Sequence, residues 1–156
     1  MKSQLIKSAV VVAAVAAMFG STGARASDSV SVTVNATIVG VCKFFTSSPV
    51  VNITNTGTGS NIDPSSSTDA TGNAAISYRC SNGTSPTFTV PSSATLTASG
   101  GATLSPSITS TSGGAGTGMG SGQEKTLTVT GTILSAAFQN AAAGSYTGTI
   151  TVSVTP

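Results

Sequence analysis

Apolar and polar residues alternate along this chain with a period of two, the spacing that puts one set of side chains on each face of an extended strand. The longest uninterrupted case comes first. Val30, Val32, Val34, Ala36 and Ile38 share one face, with Ser31, Thr33, Asn35 and Thr37 on the other. Further strands are predicted over 50–53, at Ala74, Ile76, Tyr78 and Cys80, and at Phe88 and Val90. They continue at Ala94, Leu96 and Ala98, and over 104–108. Leu127, Val129, Gly131 and Ile133 then alternate with four threonines, and a last strand carries Tyr146, Gly148, Ile150, Val152 and Val154. About seven or eight short strands divided by Gly, Ser, Asn and Pro clusters predict an all-β fold, a β-sandwich.

Two tracts break the pattern. Residues 54–71 and 110–122 are rich in Gly, Ser and Thr and are expected to be surface loops. The glycines of the second tract are followed by no Gly-Lys-Ser or Gly-Lys-Thr, so they are not read as a phosphate cradle. One helical turn is predicted within 136–142, as a connector between the last two strands.

The start of the chain supplies an address. Lys2 and Lys7 bracket a short basic region, an apolar run covers 9–19, and Ala24-Arg25-Ala26 has the small-x-small form of a signal peptidase site. Residues 1–26 are therefore read as a signal peptide and the mature chain as starting near Ser27. No retained membrane span is expected, because the run is short and a cleavage pattern follows it. Beyond it, Lys43, Arg79 and Lys125 face Asp28, Asp63, Asp69 and Glu124, a net charge of −1. So sparse a charge set offers no footprint for nucleic acid and no polybasic patch for lipid.

Export also frames the cysteines. There are two, Cys42 and Cys80, and an even count in an oxidising compartment predicts a disulfide. Without a single His in the chain, a redox motif or a zinc site is a poor alternative. The same absence removes the usual general base, the acids are scattered, and no nucleophile elbow appears, so no enzymatic activity, metal or cofactor is expected. Carbohydrate binding is the rival function, since many secreted sandwiches bind sugars. The chain has no Trp, however, and Tyr78 and Tyr146 fall in core phase.

Three stretches together resemble the spore coat protein U domain, the family that includes the major subunits of archaic chaperone-usher pili. They are Val39-Gly40-Val41-Cys42, the strand end Ile76-Ser77-Tyr78-Arg79-Cys80-Ser81-Asn82-Gly83-Thr84, and the closing pair Gly131-Thr132-Ile133 and 143–154. The resemblance implies an incomplete immunoglobulin-like, pilin-type sandwich that lacks its final strand. A periplasmic chaperone would hold it, an outer-membrane usher would assemble it, and the N-terminal strand of the next subunit would complete it. The product would be a linear homopolymer on the cell surface, a pilus or fimbria supporting adhesion and biofilm formation. A spore or cell coat protein of the same fold is an equally consistent alternative.

On this reading residues 27–41 form a donor strand and 42–156 the sandwich. Val30, Val32, Val34, Ala36 and Ile38 would plug a neighbour's groove, and Tyr146, Ile150, Val152 and Val154 would border the groove and face the chaperone. The sequence ends at Pro156, two residues after Val154, so no later strand is expected to cover that edge. Alternation alone fits two destinations for 30–38, first strand of its own domain or insert in another.

Overall fold

The computed structural model describes residues 28–156; the predicted signal peptide and cleavage site lie outside the described residues. The chain divides into two units, 1–36 and 37–156. In the first, residues 28–36 are exposed and belong to no strand. Among the described residues of the second, nearly all regular structure is antiparallel β.

Nine strands and one helical turn follow in order. They are β1 (Cys42–Phe44), β2 (Ala70–Cys80), β3 (Thr87–Thr89), β4 (Leu96–Ala98), β5 (Thr103–Leu104), β6 (Ser107–Ser112), β7 (Lys125–Ile133), α1 (Ser135–Phe138), β8 (Tyr146–Thr147) and β9 (Ser153–Thr155). The main sheet has the order β1-β2-β7-β6. Its centre is the β2–β7 ladder, in register from Ala70 opposite Ile133 to Tyr78 opposite Lys125. Both strands alternate as their sequences predict: Ala74, Ile76, Tyr78, Leu127, Val129 and Ile133 are buried, while Ala75 and Ser77 of β2 and the threonines of β7 lie on the other face.

The second layer is built in two short pieces, β3 with β9 and β5-β4-β8. Phe88 of β3 reaches across to the main sheet, stacking on Phe44 at 6.2 Å and meeting Tyr78 edge-on at 4.9 Å. Such aromatic pairs add about 0.5–1.5 kcal/mol each beyond the area they bury. Cys42 and Cys80, directly opposite in the β1–β2 pair, form the predicted disulfide.

Residues 30–38, expected to pair either in their own domain or in a neighbour, form no strand and no ladder with the described residues of this single chain. Three expectations need correction. Residues 50–53 are not a strand either. Gly72 lets the Asn52 carbonyl cross over the sheet, where any Cβ would collide with it, and only Thr54 bridges Thr71. The run 104–108 is broken by buried Pro106, which cannot donate to a ladder, and the chain changes layer there. The last strand is divided as well: β8 and β9 are paired, but 148–152 between them are not.

The glycine-rich tract is also more ordered in role than a flexible loop. Its first residues belong to β6, and the rest folds back over the end of β2. Gly116 donates to Thr84 O at 2.8 Å and accepts from Gly83 N at 3.0 Å, while Gly118 donates to Cys80 O at 3.1 Å. The buried Tyr78 hydroxyl donates to Gly114 O at 2.7 Å. Burial pushes the Tyr78 phenol above its ordinary pKa.

Candidate functional site

Between the two layers runs an open apolar cleft of about 930 Å³. One lip is the stretch 44–53, continuing from β1; the other is 141–152, which includes β8 and leads to β9. The floor comes from Ala74 and Ile76 of β2, Val129 and Ile133 of β7, and Ile108 of β6. No Asp, Glu, Lys or Arg is among the described lining residues.

The lips share an unusual property. Residues 46–52 make no backbone–backbone hydrogen bond among the described residues, and neither do 148–152. Both stretches are exposed or half-buried, so their unpaired backbone groups face water and form two open edges flanking an apolar trough. The side chains there keep strand phase: Tyr146, Ile150 and Val152 are half-buried, and Thr147, Thr149 and Thr151 are exposed. Gly148 passes directly against the Thr95 carbonyl, where a Cβ would clash. That contact holds the lip close to the second layer without a ladder.

Of the four residues expected at the groove, Tyr146, Ile150 and Val152 line the cleft. Val154 sits just beyond it, paired in register with Phe88. Tyr146 is pinned by its hydroxyl, which donates to Ala142 O at 2.7 Å. The opposite lip and floor were not singled out from the sequence, although the alternation of β2 and β7 carries Ala74, Ile76, Val129 and Ile133 to the inner face.

The five residues of the expected plug are all exposed, Val30 at 86%, Val32 at 77%, Val34 at 85% and Ile38 at 93%. Large apolar side chains so exposed and so regularly spaced have a hydration cost that a partner would remove.

Several described polar residues pair with one another on the surface. Arg79, on the outer face of β2, pairs with Glu124 and lies 4.3 Å over the Phe45 ring. The hydrogen bond from Arg79 holds the Glu124 carboxyl below its ordinary pKa. Asp63 is likewise lowered, by hydrogen bonds from the Ser65 hydroxyl and amide. Among the described residues no group of three or more His, Cys, Asp or Glu side chains could hold a metal ion, and no helix is long and apolar enough to cross a membrane. No family model matches this chain, and no curated protein or solved structure matches it.

Proposed function

We propose that this protein is the structural subunit of an exported surface fibre, a pilus or fimbria, polymerised by donor-strand exchange. The observation that carries the reading is the apolar cleft with unpaired backbone on both lips, in a chain whose residues 30–38 are an exposed, strand-patterned segment without a ladder. The occupant is residues 30–38 of a second copy. Inserted between the lips, that segment adds a strand by β-augmentation, pairing its backbone and turning its apolar face to the floor. Burying three valines and one isoleucine at about 1.5–3 kcal/mol each gives roughly 6–12 kcal/mol before ordering costs.

The domain is then an incomplete, immunoglobulin-like pilin sandwich, non-catalytic and without a cofactor. A periplasmic chaperone would cover the cleft during export, and an outer-membrane usher would exchange it for the next subunit. Deletion of residues 27–36 behind the signal peptide tests the reading. The shortened subunit should stay folded, fail to extend fibres, and melt at higher temperature when a peptide spanning 27–38 is added. A peptide carrying Val32→Asp and Val34→Asp should have no effect. An unfolded domain, or one indifferent to the wild-type peptide, contradicts the proposal.

A further inference from the structure

We propose that Ser81 is a positioning residue that holds the tether 39–41 straight at the closed end of the cleft, so that the segment ahead of it reaches a second copy and not its own groove. This inference rests on the donor-strand reading. Ser81 grips the tether three times: its amide donates to Val41 O at 2.9 Å, Val41 N donates to its hydroxyl at 3.1 Å, and the hydroxyl faces Val39 O at 3.5 Å. These contacts extend the β1–β2 pairing beyond Cys42 and Cys80, with Val41 opposite Ser81. Gly40 is exposed, and a Cβ added there would lie 3.2 Å from Thr84 Oγ1 and 3.7 Å from Pro156 Cβ, so the tether runs beside Thr84 and Pro156. At this end β1 touches β9, and the cleft opens only beyond Phe44 and Val152.

To enter its own groove the chain would have to reverse within 39–41. Hairpin loops of three residues exist, usually with Gly in a left-handed conformation, and Gly40 would allow one if released. The Ser81 hydroxyl opposes that reversal, because Val39 O and Val41 N would have to leave it. The device matters because closure on itself would otherwise win. A short flexible link gives an effective concentration in the millimolar range, roughly a thousandfold above micromolar subunits. A subunit free to self-close would be a capped monomer.

The test compares the full exported chain with two variants, Ser81→Ala and an insertion of eight Gly and Ser residues between Ile38 and Val39. Eight residues span up to about 26 Å, enough to turn back past β1 while every domain contact is kept. Each protein is refolded at micromolar concentration with and without an excess of fluorescent 27–38 peptide, and masses are read by native mass spectrometry. The wild type should form oligomers whose size grows with concentration and should be trapped by peptide as a one-to-one monomer. The insertion variant should be monomeric at every concentration and bind peptide at least a hundredfold more weakly, and Ser81→Ala should shift the same way. An insertion variant that oligomerises and takes up peptide as the wild type does, or a Ser81→Ala variant indistinguishable from the wild type, overturns the tether and leaves the donor reading standing. A wild type that is already a closed, peptide-resistant monomer overturns both the tether and assembly through a second copy. Peptide binding to none of the three overturns both.

Discussion

Replacing Ala74 by Leu should stabilise the isolated domain and weaken donor binding, two effects of opposite sign from one side chain. Ala74 lies on the inner face of β2 opposite Val129, is 8% exposed, and looks into the cleft. Leucine adds three carbons to the floor of a trough that the empty domain leaves open. At about 0.8 kcal/mol per buried methylene the gain is up to about 2 kcal/mol, less the side-chain entropy lost. For a domain of this size each kcal/mol raises Tm by roughly 3–6 °C. The same carbons then occupy volume that the incoming strand needs. Overpacking costs about 1–3 kcal/mol, which weakens peptide binding roughly fivefold to a hundredfold. Thermal melts of the domain lacking residues 27–36, followed by calorimetric titration with the 27–38 peptide, give both quantities. A variant that is more stable and binds peptide with unchanged affinity would refute the placement of the donor over Ala74. A variant that is destabilised would show that the space above Ala74 is already filled.

Three further outcomes follow from the same geometry. Gly116→Ala should cost about 1–3 kcal/mol in urea denaturation, because its new Cβ would run into the backbone and Cβ of Cys80; an unchanged midpoint would contradict the packing of the glycine-rich turn. Reducing the Cys42–Cys80 bond, which closes a separation of 38 residues, should remove roughly 4 kcal/mol of stability, read as a lower urea midpoint in reductant; an equal midpoint would refute it. Glu124 has a folded pKa below its unfolded value, so the stabilisation it supplies is present above the ordinary glutamate range and is lost as pH falls through the folded pKa. Urea midpoints from neutral pH to pH 3 should therefore fall less steeply for Glu124→Gln than for the wild type, and identical slopes would remove the Arg79 pair as a source of acid lability.

The central ladder was legible because both its strands have one face in the core: the alternation of 74–80 and 127–133 is enforced by burial, and period two states it directly. The disulfide was legible from the count of cysteines and the expected compartment. Less could be read where a segment does not alternate for the sake of a ladder. Ile53 is buried because Gly72 and Gly131 leave room above the sheet, with Ile53 Cδ1 3.0 Å from a Cβ built at Gly131, a relation between residues far apart in sequence. The end of β6, over 110–112, was hidden by Ser and Thr, whose polarity suggested a loop while their exposed positions on β6 suit them to a strand edge. The cleft itself was only half visible. Tyr146, Ile150 and Val152 advertise an inner face, but that their neighbours lack a ladder partner is a property of topology, which local pattern does not contain.

The claim that residues 30–38 of another copy fill the cleft is tested most directly by NMR on the isotopically labelled domain lacking 27–36, titrated with unlabelled 27–38 peptide. The account predicts that amides of 46–52 other than Pro49, and of 148–152, shift, and that alternate ones become slow to exchange as they gain ladder hydrogen bonds. Methyls of Ile76, Val129, Ile133 and Val152 should show contacts to the peptide valines. Shifts confined to the outer threonine face of β7, or no change at the lips at saturating peptide, would contradict it.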